Sequence, residues 1–179
     1  MRKIYAIGNA HLDAAWLWPW QEGYAEVKAT FRSALQRLEE DEGFVFTSSS
    51  AQYYAWLEEA EPEMLDGIRT YIRKGRWVIC GGWWVQPDCN LPCGEALIRQ
   101  GLWGQTYFRE TLGTTATVGY NVDSFGHSSA LPQILRGSGM DAYVFLRPGP
   151  HEKTLPGSTF WWEGPDGSRV MAYRIPQNY

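Results

Sequence analysis

The stretch Lys3-Ile4-Tyr5-Ala6-Ile7-Gly8-Asn9-Ala10-His11-Leu12-Asp13 decides how the chain is read. An apolar run over residues 3–8 reads as a buried strand, and it stops at a His-x-Asp pair. Alternate side chains of an extended segment point the same way, so His11 and Asp13 can converge on one point. An imidazole nitrogen with a carboxylate oxygen is a zinc half-site. Taken alone, the pair also looks like a polar loop after a strand. A second carboxylate in a similar place adds weight: Asp123 follows the apolar run 116–122.

Outward from this stretch, strand-like and helix-like segments alternate. Further buried strands are expected at 44–48, 77–80, 116–120 and 142–146. Between them, Tyr24, Val27, Phe31, Ala34 and Leu38 fall at helical spacing and stop at Gly43. A second helix is expected from Pro62, through Leu65, Ile68 and Ile72, to Gly75. A third follows Pro92 with Leu97, Ile98, Leu102 and Phe108 before Gly113, and a short one carries Leu131, Ile134 and Leu135 up to Gly137. Ser48-Ser49-Ser50 reads as a helix cap. The acidic run Glu39-Glu40-Asp41-Glu42 reads as a solvated helix end with no binding role.

This order predicts an α/β fold, with parallel strands and helices outside them. No glycine-rich dinucleotide turn follows the first strand. In parallel βα architectures the chemistry gathers at carboxyl strand ends. His11, Asp13, Asp88, Asp123 and Arg147 all fall at or after such ends. Arg147 is expected to meet a sugar hydroxyl or an acidic neighbour, or to make a surface salt bridge. Phe160-Trp161-Trp162-Glu163 and Arg169-Val170-Met171-Ala172-Tyr173 flank Pro165-Asp166-Gly167 and predict a C-terminal β-hairpin. Five parallel strands precede it, whereas a closed (β/α) barrel uses about 250 residues.

Composition narrows the function classes. A net charge of -4 offers no cationic field for nucleic acid. No apolar stretch approaches the ~20 residues of a membrane span. Met1-Arg2-Lys3 leads straight into the strand-like run with no signal core, so a cytoplasmic location is expected. Three cysteines, Cys80, Cys89 and Cys93, fit free thiols in a reducing compartment. Cys89-x-x-x-Cys93 lacks a second Cys or His pair to complete a zinc site. Ten tryptophans in 179 residues serve either core packing or stacking on sugar faces.

Four motifs in the same order carry a resemblance. They are Ile7-Gly8-Asn9-Ala10-His11-Leu12-Asp13-Ala14-Ala15-Trp16-Leu17-Trp18, Glu22-Gly23-Tyr24-Ala25-Glu26-Val27-Lys28-Ala29-Thr30-Phe31, Gly81-Gly82-Trp83-Trp84-Val85-Gln86-Pro87-Asp88 and Asp123-Ser124-Phe125-Gly126-His127-Ser128. The chain resembles the class II α-mannosidases, glycoside hydrolase family 38, over nearly its whole length. The resemblance implies the N-terminal part of a catalytic domain over 1–179, with an incomplete seven-stranded (β/α) barrel whose final units are absent.

It further implies Asp123 as both catalytic nucleophile and zinc ligand, with His11 and Asp13 as the other ligands present. One zinc ion is expected, and a site of one His and two Asp also accepts other divalent metals. Trp16 matches an aromatic position that stacks on the sugar, and Phe125 a second apolar wall. Asp88 is a candidate partner for sugar hydroxyls, or a loop stabiliser. The family's fourth ligand, a histidine, and its general acid both lie downstream of residue 179. His127 is then structural or supports the site from behind, and His151 is solvated. Ala14-Ala15 stands where many relatives carry Pro-Val, at positions that are not ligands.

The implied substrates are α-mannosides or mannose-containing oligosaccharides. An unclosed barrel exposes strand edges, so self-association or association with the missing downstream segment is expected. Two alternatives remain in view: a metal-dependent carbohydrate deacetylase, for which the usual His-x-x-x-His is lacking, and a non-catalytic sugar-binding remnant.

Overall fold

The computed structural model describes residues 5–176. Their contacts gather into two compact units. One contains 5–48 and 52–79, the other 49–51 and 80–176.

In the first unit, β1 (Gly8–Asn9), β2 (Phe46–Ser48) and β3 (Trp77–Ile79) form a parallel sheet in that order. Helix α1 (Trp20–Glu40) connects β1 to β2, and α2 (Ala51–Ala60) and α3 (Pro62–Arg73) connect β2 to β3. Helix α1 buries Gly23, Val27, Phe31, Ala34 and Leu38, one stripe at helical spacing. Phe31 packs edge-on against Trp77 at 5.0 Å, and Phe46 meets Trp77 at 4.8 Å. The buried Trp77 Nε1 donates to Tyr54 Oη at 2.9 Å, so the indole enters the core with its polar atom satisfied.

Two expectations need correction here. The strand predicted over 3–8 is only Gly8–Asn9: residues 3 and 4 lie outside the described residues, and Tyr5 and Ile7 are exposed and precede the ladder, which registers Gly8 with Phe46 and Asn9 with Thr47. Gly8 N–H donates to the Val45 carbonyl at 2.9 Å and the ladder starts there, while the exposed side chains of Tyr5 and Ile7 bury little apolar surface that would extend it. The cap expected from the serine run is not made by Ser50. Ser50, immediately before α2, has φ 68°, and its buried Oγ has no hydrogen-bond partner among the described residues. Capping needs an extended backbone at the N-cap, and a left-handed residue does not offer it.

In the second unit, α4 (Gly94–Tyr107) runs into a wider π turn (Phe108–Leu112) and stops at Gly113, whose φ of 69° is left-handed. The buried Gln105 side chain donates to the carbonyls of Ala116 (2.7 Å) and Ser138 (2.8 Å) and accepts from Ala116 N–H (2.9 Å), which ties α4 to the entry of the next strand. Then come β4 (Val118–Asn121), α5 (Leu131–Gly137), β5 (Ala142–Phe145), β6 (Thr159–Glu163) and β7 (Arg169–Arg174). The sheet order is β4-β5-β7-β6. β4, β5 and β7 are parallel, and β6 runs antiparallel to β7 at the edge. Trp83, Leu97, Leu131, Leu135, Met140 and Tyr143 are at the heart of the core under this sheet. Among the described residues no helix is long and apolar enough to cross a membrane.

Candidate active site

The first unit supplies the His-x-Asp pair directly after β1. His11 Nε2 and Asp13 Oδ1 are 3.7 Å apart. That is too long for a hydrogen bond. It is near the roughly 3.3 Å that two tetrahedral zinc ligands about 2.0–2.1 Å from the ion would have between them. Three contacts hold the segment in place. Tyr53 Oη donates to the Leu12 carbonyl, Trp18 Nε1 donates to the Asp13 carbonyl at 3.3 Å, and Asn9 Nδ2 donates to Thr47 on β2. A hollow of about 310 Å³ opens here, lined by His11, Leu12, Asp13, Trp18, Glu22 and Glu26.

Glu22 and Glu26 were not singled out in the sequence. Their i,i+4 spacing at the start of α1 was the available signal, since it places both on one helix face. Three carboxylates beside one imidazole form a surface that attracts a cation. Among the described residues, neither unit by itself gathers three His, Cys, Asp or Glu side chains able to hold a metal ion. The donor chemistry of His11 and Asp13 fits one half of such a site.

Gly23 of α1 lets the helix pack directly against the backbone of Asp13 and Ala14. A Cβ there would lie 2.1 Å from the Ala14 carbonyl oxygen and 3.1 Å from that of Asp13. Alanine gains helix propensity of up to about 1 kcal/mol over glycine. Overpacking against backbone costs about 1–3 kcal/mol, so the clash wins. Gly23→Ala is therefore expected to lower the urea midpoint of the full chain. A raised midpoint would contradict the close packing.

The second unit supplies Asp123, two residues beyond β4. Arg147, two residues beyond β5, donates Nε (3.0 Å) and Nη2 (2.9 Å) to the same oxygen, Asp123 Oδ1. Of the partners expected for Arg147, it is the acidic neighbour that it meets. Its guanidinium also stacks over Phe125 at 4.7 Å. Phe125 and Trp16 are both exposed, at 72% and 67%. Trp16 sits edge-on to Trp18 at 5.2 Å within its own unit.

The base of the Asp123 segment is pinned from below. Trp83 Nε1 donates to Asn121 Oδ1 at 2.8 Å, Asn121 Nδ2 donates to the Pro87 carbonyl at 3.1 Å, and Ser124 Oγ donates to the same carbonyl at 3.2 Å. Asp88 Oδ1 accepts the N–H groups of Asn90 (2.7 Å) and Leu91 (2.8 Å), which is a loop-stabilising role.

Burial pushes the Cys80 thiol up to about 12 and the Cys89 thiol up to about 11. Both stay protonated, while Cys93 is exposed. His151 lies in an exposed loop.

His127 is partly buried against Tyr143, Phe145 and Trp162. Burial lowers its pKa, against the opposing pull of the Arg147 carbonyl bonded to Nε2. The unfolded chain binds the proton first as pH falls below the ordinary value of about 6.5. Stability held by the neutral ring is thus present above that value and is lost as pH falls toward and through the lowered one. The urea midpoint is expected to drop between about pH 7.5 and about pH 5.5, and to drop less in His127→Gln. An equal drop in both would sink this assignment.

The family model described as "Glycosyl hydrolases family 38 N-terminal domain" matches residues 1–179. "Alpha-mannosidase 2C1" of Homo sapiens is 37% identical over 174 residues, which is 97% of this chain and 17% of that protein. "Alpha-mannosidase" of Saccharomyces cerevisiae is 34% identical over 180 residues, 99% of this chain and 17% of that protein. The chain thus spans about a sixth of the length of these curated relatives. The crystal structure of an alpha-mannosidase from Enterococcus faecalis V583 superposes with a TM-score of 0.83 at 23% identity, over 95% of this chain and 20% of that one, a likeness of fold.

Proposed function

The chain belongs to glycosyl hydrolase family 38, and on that premise we propose that it is the N-terminal part of a retaining α-mannosidase whose nucleophile is Asp123. The observation that carries this reading is the Arg147 clamp on Asp123 Oδ1 at the carboxyl ends of β4 and β5, beside the exposed ring of Phe125. A guanidinium fixing one oxygen orients the other for attack.

In the proposed reaction, that second oxygen of Asp123 attacks the anomeric carbon of an α-mannoside. A C–O bond to Asp123 forms as the glycosidic C–O bond breaks. A second carboxyl, roughly 5 Å away in retaining enzymes, protonates the departing oxygen and then takes a proton from the water that releases mannose. No residue of this chain is assigned to it. Trp16 and Phe125 are proposed to stack on the sugar, with Asp88 as a partner for sugar hydroxyls or as the stabiliser of its own loop.

One zinc ion, or another divalent metal, is proposed at His11, Asp13 and Asp123. Bound there it would supply a Lewis acid for the vicinal hydroxyls of mannose, whose 2-hydroxyl is axial. The imidazole and carboxylates of the chain orient those hydroxyls and favour a distorted ring. The incomplete seven-stranded barrel belongs to the same proposal, as do self-association and a cytoplasmic setting, the last supported by three free cysteines.

The test is p-nitrophenol release from p-nitrophenyl α-mannoside by the complete protein of which this chain is the N-terminal part, before and after chelation. Activity that disappears with chelator and returns with zinc supports the reading. Absence of activity in folded, zinc-loaded protein would overturn it.

A further inference from the structure

Behind the Asp123–Arg147 pair runs a second, buried set of contacts that the proposed chemistry does not use. His127 Nε2 lies 2.7 Å from the Arg147 carbonyl oxygen, and Nδ1 lies 3.0 Å from Tyr143 Oη. A carbonyl only accepts, so Nε2 must carry the proton. Nδ1 then presents a lone pair, and the Tyr143 hydroxyl donates to it. Tyr143 is fully buried on β5. The imidazole is walled edge-on by Tyr143 (5.6 Å), Phe145 (5.2 Å) and Trp162 (6.1 Å), so the ring has one orientation. The polypeptide is pinned on the other side too, since Ser128 N–H donates to the Cys89 carbonyl at 2.7 Å and Cys89 bridges His127 in parallel.

We propose that His127, oriented by Tyr143, is a positioning residue for the nucleophile: its Nε2–H holds the Arg147 carbonyl and so sets the guanidinium that clamps Asp123 Oδ1. The inference rests on the reading of Asp123 as nucleophile. The route is physical at each step. The Arg147 carbonyl fixes the tautomer, Tyr143 holds the ring in place by donating to Nδ1, Nε2–H donates to the Arg147 backbone, and the fixed backbone aims Nε and Nη2 at one carboxylate oxygen. The side chain of Arg147 is itself 42% exposed, so neighbouring packing alone does not hold it. Misplacement of a reacting group by about 1 Å costs on the order of 100-fold in rate.

The test is a mutant cycle in the full chain, with p-nitrophenyl α-mannoside as substrate. His127→Leu is expected to lower kcat about 10- to 100-fold with KM nearly unchanged. His127→Gln, whose amide N–H reaches the same carbonyl, is expected to recover most of that loss. Tyr143→Phe, which deletes a single oxygen, is expected to lower kcat roughly 2- to 10-fold. In an Arg147→Ala background all three are expected to have little further effect, because their influence passes through Arg147. Full additivity of the His127 and Arg147 effects, or a wild-type kcat in His127→Leu, would overturn the inference. If His127→Leu does not fold, the Gln and Phe variants in both backgrounds decide the question. If Asp123→Asn retains wild-type activity, the underlying nucleophile reading has failed. If Asp123 and Arg147 variants lose activity while His127 variants do not, only this inference has failed.

Discussion

Asp123→Asn in the full chain is expected to lower kcat on p-nitrophenyl α-mannoside by on the order of 10⁴-fold or more, with the fold intact. An amide is isosteric with the carboxylate but is a far weaker nucleophile, and nucleophile removal is among the costliest single changes in an enzyme. The geometry makes the variant informative. Asp123 accepts both Arg147 bonds through one oxygen, which an amide carbonyl can also do, so Arg147 can keep its place. Loss of stability is therefore not the expected cause of lost activity, and an unchanged urea midpoint checks that. A loss of less than about tenfold would assign Asp123 to binding rather than bond formation.

Trp83→Ala is expected to destabilise the full chain by about 3–5 kcal/mol. The indole is fully buried, packs in the core under the second sheet, and donates to Asn121 two residues before Asp123. Truncation leaves a cavity and an unsatisfied amide oxygen at once. Trp83→Phe separates the two effects. It keeps a six-membered ring and removes the donor with a smaller part of the packing, so a smaller cost of about 1–3 kcal/mol is expected. Urea denaturation measures both. Equal costs for the two variants would mean that the hydrogen bond, not the packing, dominates at this position. Because Asn121 also donates to the Pro87 carbonyl, both variants are expected to loosen the end of β4 and lower kcat along with stability.

Much of this arrangement is legible in the sequence, for reasons that can be named. Helix α1 reads clearly because Val27, Phe31, Ala34 and Leu38 repeat at helical spacing and are the residues buried. Strands β3, β4 and β5 read as short apolar runs and fall where expected, within a residue or two. The placement of His11, Asp13 and Asp123 after strands comes from the same logic, and each follows a strand of its own unit, β1 for His11 and Asp13 and β4 for Asp123. The motif resemblance is matched by the family membership of the chain.

What was not legible depended on partners far apart in sequence. β1 is shorter than its apolar run because pairing, not composition, sets its length. Helix α2 carries aromatics at several positions and a weak apolar stripe, so its periodicity did not separate it from a loop. The insertion of β7 between β5 and β6 could not be read, because alternation marks a strand without marking its neighbours. Arg147 had three plausible partners, and only the folded chain pairs it with Asp123, 24 residues away. His127 gave no sign of its tautomer, which depends on a tyrosine hydroxyl and a backbone carbonyl.

The most direct measurement is covalent trapping. The full chain is incubated with an activated fluorinated α-mannosyl substrate that slows hydrolysis of the glycosyl-enzyme, and the peptides are mapped by mass spectrometry. The expected result is one mannosyl adduct, on Asp123, with activity lost in step with labelling. Turnover with no adduct, or an adduct on any other residue, would contradict the assignment of Asp123 as the nucleophile of a retaining mannosidase.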